Sequence, residues 1–354
     1  RVIGITGSVG KSTTKELTTT VLKQRYRTLK NPGNLNNEIG LPMTLWRLSE
    51  GHQKAVLEMG FYMPGEIKFL CDLAQPQVGV VTTIGTVHAE RAGSIEDIAR
   101  GKAELIQALP PAPEGIAILN YDDELVRAMA DQTKARIFYY GLSSEADLWA
   151  DQVEGLGLEG IKCCLNYRGE SIYLKVPLIG RHSVHTVLRA AAVGLVEGLS
   201  WEEIGRGLRS EHSQLRLVAV KTTAGAMILD DTYNASPKSM LADLNLLEDL
   251  DGRKIAVLGD MLELGHYEQQ GHMKVGIRAA QVADVLVTVG SLGKIIASAA
   301  ADTDYNKENI HTFEDTNEAI VFLREFLEKN DVVLVKGSRG MRMDKIVAAL
   351  EAGS

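Results

Sequence analysis

The sequence predicts an α/β protein of two domains, and three observations predict it. The chain opens on a short apolar run, Val2 to Thr6, followed by a glycine-containing turn and a helix, which reads as a parallel-sheet unit carrying a phosphate-binding loop. Between residues 146 and 179 the texture changes to short alternating stretches, expected as antiparallel hairpins added to that sheet. Beyond about residue 217, strand and helix patterns alternate to the end, as in a doubly wound domain. The boundary is placed around Ser213 to Val218, giving domains of 1–216 and 217–354.

The first loop runs Thr6-Gly7-Ser8-Val9-Gly10-Lys11-Ser12. Glycines let backbone N–H groups approach phosphate oxygens, and the helix that begins near Ser12 adds a partial positive charge. Lys11 would reach the β- and γ-phosphates, and the Ser12 hydroxyl would sit on Mg²⁺. Gly7, Ser8, Gly10, Lys11, Ser12 and Thr13 therefore form the candidate nucleotide cradle. The strict pattern asks for glycine at position 5, where Ile5 stands, with Gly4 one place earlier.

Composition narrows the function. The chain has 354 residues, 45% hydrophobic and 24% charged, a globular balance with room for two cores. A net charge of −8 argues against nucleic acid as a partner. No apolar run reaches the length of a membrane span, so no membrane insertion is expected. Cys71, Cys163 and Cys164 make neither a disulfide framework nor a metal-ligand spacing, and a cytoplasmic location and a monomer are expected. The sequence starts on a core strand without an initiator Met, so a segment upstream is expected.

Along the first domain, Lys30 to Gly40 holds four Asn and two Gly around one Pro. It reads as a loop whose amides could bind a polar ligand or simply form turns. Ala55 to Gly60 is a strand with Glu58 towards its end. In phosphate-loop enzymes such an acid holds Mg²⁺, and elsewhere it is a solvated turn residue. Val78 to Ile84 is a buried strand, followed by a turn with His88 and Glu90. Ser94-Ile-Glu-Asp97 starts a helix to about Leu109 in the manner of a capping box, with Lys102 in mid-helix, where composition gives no reason to single it out. A strand over 115–120, a helix over 122–131 and a strand over 136–140 precede the hairpins. A strongly apolar helix then runs to about Gly198, and a shorter one spans Trp201 to Leu208. In the second domain, strands are expected near 226–230, 255–259, 285–290, 309–313 and 332–336, and Ser236-Pro237 caps a helix.

Several stretches together resemble the Mur ligases. They are Thr6 to Glu16, Asn31 to Gly40, the turn with His88, Asp230-Asp-Thr-Tyr-Asn-Ala-Ser-Pro237, Gly259 to Gly265 and Val335-Lys-Gly-Ser-Arg-Gly-Met-Arg-Met343. The likeness covers the whole chain and implies a central ATP-binding domain followed by a Rossmann-like C-terminal domain. It points to the branch that adds D-alanyl-D-alanine to UDP-N-acetylmuramoyl-tripeptide, in peptidoglycan synthesis for cell-wall biogenesis, cell shape and division. Rivals are a Mur-type or folylpolyglutamate-like ligase with another acceptor, a non-catalytic nucleotide-binding module, and a regulatory ATPase.

The resemblance also assigns roles. ATP and two Mg²⁺ ions are the implied cofactors. Ser12, Glu58, His88 and Lys102 would be metal ligands, Lys102 as a carbamate formed with CO₂. Lys11, His88, Lys102 and Arg216 form the implied catalytic set, with Arg216 reaching the γ-phosphate. Asp231 and Tyr233 fall near ribose and adenine. Substrate contacts are expected from Asn34, Asn36, Asn37, Lys336, Ser338 and Arg339. Where the family commonly has Asn, this chain has Ser183 and Thr186. The family's N-terminal domain for the uridine nucleotide end is not represented in the sequence, so ATP binding with little ligation is expected of these 354 residues.

Overall fold

Val2–Thr6 (β1) forms because its apolar, partly β-branched residues can be buried on both faces, as a central parallel strand requires. A computed structural model describes residues 1–87, 89–210 and 218–351. His88 and Arg216 lie outside the described residues, as does most of the expected domain boundary. The chain divides into two compact units, Arg1–Leu215 and Arg216–Ser354.

The first unit is built on one nine-stranded sheet. Its further strands are β2 (Thr28–Lys30), β3 (Lys54–Glu58), β4 (Val78–Val81), β5 (Ile116–Asn120), β6 (Arg136–Gly141), β7 (Leu148–Gly155), β8 (Ile161–Tyr167) and β9 (Glu170–Val176). The spatial order is β2-β3-β1-β4-β5-β6-β7-β8-β9. Pairing is parallel from β2 to β7 and antiparallel from β7 to β9. The expected hairpins are therefore continuous with the parallel sheet.

Three helices pack together against the sheet, from β1 to β9. Lys11–Leu22 packs on Val184–Val196 and Trp201–Leu208. Contact is close because Gly207 has no side chain; a Cβ there would lie 2.6 Å from Val21 Cα. Leu17, Val21, Leu22, Leu188, Ala191 and Ile204 join Ile3, Ile5 and Val80 in a buried core. The capping box at Ser94 is present with both of its bonds, and the helix spans Ile95–Gln107.

Some local expectations change. The helix over 122–131 is a single turn, Glu124–Arg127, running into a 3-10 turn, Ala128–Gln132. Strand β2 and the helices Gly40–Leu45 and Glu66–Ala74 were not anticipated. Each is short and gains its stability from packing rather than from its own periodicity.

The second unit holds a six-stranded sheet of β10 (Val218–Lys221), β11 (Met227–Asp231), β12 (Arg253–Gly259), β13 (Val285–Val289), β14 (Ile310–Phe313) and β15 (Asp331–Lys336), in the order β10-β11-β15-β12-β13-β14. All pairs are parallel except β10 with β11. The edge strand β10 was not anticipated. Ser236 caps Pro237–Glu248 as the sequence suggests.

Ligand sites in open α/β sheets gather outside the C-terminal ends of the strands. In the first unit, register sets Ile5 beside Glu58 and Thr6 beside Val81. The ends of β1, β3 and β4 thus open on one place, and the glycine loop leaves from it.

Candidate nucleotide and metal site

The loop after β1 is fixed by the segment that follows its neighbour β4. Ser8 N–H donates to Thr83 O at 2.8 Å, and Gly85 N–H donates to Ser8 Oγ at 2.9 Å. The Thr82 hydroxyl donates to Val9 O at 2.7 Å. Gly7, at φ 141°, lies so close to Thr82 that a Cβ would meet its Oγ1 at 1.8 Å. Gly10 stands at φ 85° directly before the helix, a left-handed conformation that favours glycine. The first helical bond is Thr14 N–H to Gly10 O, 3.0 Å. Earlier N–H groups of the helix thus have no intrahelical acceptor, which is the chemistry of an anion cradle. Lys11 Nζ donates to Gly7 O at 2.8 Å and lies 3.4 Å from Ser8 O, curled over the loop. Ser12 and Thr13 are half-buried beside it.

Glu58 ends β3 and is 2% exposed. Its Oε1 accepts from Asn36 Nδ2 at 2.8 Å, while Oε2 has no hydrogen-bond partner among the described residues and lies 3.6 Å from Lys15 Nζ. A buried carboxylate oxygen left open beside the loop suits a hard cation, which takes oxygen donors. Ser12 supplies a second donor of that kind. Among the described residues no three His, Cys, Asp or Glu side chains gather into a metal-binding group.

The asparagine loop is held against β3. Asn31 is fully buried; it donates to Leu35 O and Glu58 O and accepts from Glu58 N–H. It thereby replaces a neighbouring strand's backbone groups. Asn36 orients Glu58, and Asn37 Oδ1 accepts from Gly40 N–H at 2.9 Å to start the helix Gly40–Leu45. Asn34 is exposed.

Lys102 is 1% exposed, against the usual solvent position of helical lysines. Its Nζ sits 4.5 Å from the centre of the Phe61 ring. Burial first, and the charge of Lys11 second, push its pKa well below the ordinary lysine value. A lysine in that setting gives up its proton more easily than an exposed one.

In the second unit, Lys336 is buried between two carboxylates. Register places it opposite Asp231, to which it donates, and its Nζ lies 2.9 Å from Asp243 Oδ2. Burial works against its charge, but Asp243 and Asp231 outweigh it and hold its pKa above the ordinary value. Asp243 is pushed up to about 7 by burial, against the pull of Lys336 and with Asp231 adding repulsion. Ser338 is buried, its Oγ accepting from Leu262 N–H at 2.8 Å. Tyr233 and Arg339 are exposed.

Sequence reading passed over Lys15, Asn31, Arg189 and Asp243. Two of these, Arg189 and Asp243, share a signal, a lone charged residue inside an apolar helical stripe, whereas Lys15 stands beside Glu16 in a threonine-rich helix. Asn31 had none to separate it from its neighbouring amides.

Residues 5–194 match the family described as the Mur ligase middle domain, and residues 215–339 match the Mur ligase, glutamate ligase domain. The chain belongs to the Mur ligase family. A UDP-N-acetylmuramoyl-tripeptide–D-alanyl-D-alanine ligase of Bacillus subtilis (strain 168) is 37% identical over 355 residues, covering 99% of this chain and 76% of the relative. The enzyme of that name from Escherichia coli (strain K12) is 32% identical, covering 99% and 77%. Among solved structures, MurF from Acinetobacter baumannii superimposes with a TM-score of 0.88 at 33% identity, over 98% of this chain and 76% of that one. MurF from Thermotoga maritima in complex with ADP gives 0.84 at 27%, over 98% and 78%. Members of this Mur ligase branch are ATP-dependent ligases, and no described helix is long and apolar enough to cross a membrane.

An aspartate whose pKa rises on folding binds its proton better in the folded chain than in the unfolded one. Its contribution to stability is greatest at low pH and is lost as pH rises to about 7. Asp243→Asn keeps the shape and the Lys336–Asp231 pair while removing the buried charge. It should melt roughly 3 °C above the wild type at pH 8, with the gap narrowing as pH falls below about 7 and closing only near pH 4, around the ordinary aspartate value. Calorimetry at both pH values checks this; a gap that ignores pH would mean that Asp243 does not titrate in this range.

Proposed function

We propose that this Mur ligase joins D-alanyl-D-alanine to UDP-N-acetylmuramoyl-tripeptide, with cleavage of ATP, in peptidoglycan precursor synthesis. What supports this most directly is the continuity of the match: ligases of that name align over 99% of the chain at 37% and 32% identity. The glycine loop, with its positive-φ glycines, its helix N–H groups that lack an intrahelical acceptor, and Lys11, is the feature such chemistry needs. A rival with a different acceptor shares that loop, so it is the relatives' continuous identity that favours this substrate pair.

A carboxylate resists attack by an amine because it is an anion with a poor leaving group. Transfer of the γ-phosphoryl group to the tripeptide carboxylate gives an acyl phosphate. The amine of D-alanyl-D-alanine then adds, inorganic phosphate leaves, and the amine proton passes to solvent. The loop N–H groups and Lys11 bind and orient the phosphates, and such positioning with charge neutralisation is the chief protein contribution to phosphoryl transfer. Ser12 and Glu58 would hold Mg²⁺, which when bound supplies charge neutralisation at the phosphates. Asn36 and Lys15 keep Glu58 aimed while this happens.

Lys102 fits the carbamate reading on physical grounds. Its neutral amine can add to CO₂, forming an N–C bond and releasing a proton. The product is a buried anion able to hold a second Mg²⁺ with His88. Arg216 keeps its proposed role at the γ-phosphate, and Asp231 and Tyr233 theirs at ribose and adenine. Lys336 and Ser338 are proposed to organise the second unit's substrate face from within, with Arg339 on its surface. Asn34 and Asn37 complete the first unit's substrate loop. The domains are proposed as 1–216 and 217–354, acting as a cytoplasmic monomer.

Release of phosphate that requires both the UDP-linked tripeptide and D-alanyl-D-alanine tests the function; release without the dipeptide would point to an ATPase. Lys11→Ala should weaken ATP binding roughly a hundredfold, the loss of one charge-assisted contact of about 3 kcal/mol. Unchanged affinity by calorimetry would remove the loop from the site.

Lys102→Ala should abolish ligation, with partial return in millimolar short carboxylates. ¹³C-labelled bicarbonate should give a carbamate carbon resonance in the wild type that is missing from the variant. A wild-type spectrum without that resonance, with full activity, would rule out the modification.

A further inference from the structure

Helix Val184–Val196 is apolar along its length apart from a few positions, yet Arg189 stands on its buried side at 5% exposure. Its acceptors are hydroxyl oxygens. Nε donates to Thr14 Oγ1 at 2.8 Å, Nη2 to Thr186 Oγ1 at 2.8 Å, and Nη1 lies 3.4 Å from Tyr140 Oη. Its Cζ is 5.8 Å from the Tyr140 ring centre. Among the described residues no carboxylate is within ion-pair distance. A guanidinium cannot shed its proton to escape burial, and dipoles alone compensate a buried charge poorly.

The position of this charge is what gives it meaning. A Cβ on Gly10 would come within 3.0 Å of Arg189 Nη2. Gly10 is the last residue of the loop, and Thr14 lies one helical turn further on, its N–H bonded to Gly10 O. Tyr140 Oη in turn donates to Thr82 O at 3.0 Å, and Thr82 grips Val9 through its own hydroxyl. Arg189 is thus seated directly behind the anion cradle and tied to both of its walls. Gly10 has two reasons to lack a side chain, its φ of 85° and this guanidinium.

We propose that Arg189 is a positioning residue for the nucleotide: a fixed cation behind the loop whose compensating charge is the triphosphate itself. It rests on ATP occupying the glycine loop. Because the charge is screened by protein rather than water, it acts across a helical turn. It favours ligands in proportion to their phosphate charge and is indifferent to the base. Thr186 belongs to the same device, since its hydroxyl holds the guanidinium where the family commonly has an asparagine.

The test compares ATP, ADP and adenosine by calorimetry on the wild type, Arg189→Gln, Arg189→Met and Arg189→Lys. Gln can keep hydrogen bonds to the hydroxyls without the charge, and Lys keeps the charge without the fork. Arg189→Gln and Arg189→Met should bind ATP about tenfold more weakly, ADP less affected and adenosine unchanged. Arg189→Lys should stay within about threefold of the wild type. The inference is overturned if Arg189→Gln, melting as the wild type does, binds ATP normally, or if it loses ATP and adenosine alike. It is also overturned if Lys behaves as Gln does. Should Arg189→Met fail to fold, the Gln and Lys pair still decides. Lys11→Ala is run in parallel, because normal ATP binding there would instead remove the loop reading on which this rests.

Discussion

The first unit depends on a backbone constraint: the opening N–H groups of the helix Lys11–Leu22 have no acceptor within the helix. A turn with that property costs stability unless its shape is imposed from outside. Here the segment that follows β4 imposes it, through Thr82 on Val9, Thr83 on Ser8, and the Ser8–Gly85 exchange. The glycines then matter as spaces. Gly7 leaves room for Thr82, and Gly10 leaves room for Arg189. N–H groups that lack an intrahelical acceptor are the kind a phosphate can satisfy, which is why the loop is the proposed nucleotide cradle.

Buried cations are the second theme, and the chain handles four of them differently. Lys336 is enclosed by two carboxylates. Lys15 donates to Gly33 O at 2.6 Å and leans towards Glu16 and Glu58. Arg189 is held by hydroxyls, and Lys102 rests over an aromatic ring. The ladder runs from full compensation to almost none. Stable burial of a charge needs a partner, so the least compensated members are where chemistry or ligand charge is expected to act. Lys102 and Arg189 both flank the glycine loop, one through its electrostatic effect with Lys11 and the other through Gly10.

Much of the fold was legible because strong periodicity and apolar runs decide it. The β1–loop–helix unit, the hairpins of 146–179 and the five parallel strands of the second unit all stand where the pattern puts them. What escaped was short or locally ambiguous. Three residues suffice for β2 only because β3 offers it a partner, and the six residues of Gly40–Leu45 form a helix with Leu41 buried and the Gly40 N–H held by Asn37 Oδ1 from the preceding loop. Conversely, 122–131 has helical composition, yet the chain settles into tighter turns around Asp123, which binds Thr83 and Ile84 N–H as well as capping Glu124–Arg127.

By itself the sequence determined the α/β class, the glycine loop proposed to bind phosphate, and through its motifs the family. These follow from local order: a glycine, a lysine and a helix start must be neighbours along the chain to act together. Only the tertiary structure decided what surrounds each candidate. Lys102 reads as an ordinary surface lysine until the fold buries it under Phe61. Asn36 and Asn31 look like interchangeable loop amides until β3 brings Glu58 to them. Arg189 is 175 residues from Thr14 in sequence and hydrogen-bonded to it in space. Burial and charge compensation are properties of neighbours, and distant neighbours are created by packing rather than written in any short stretch of sequence.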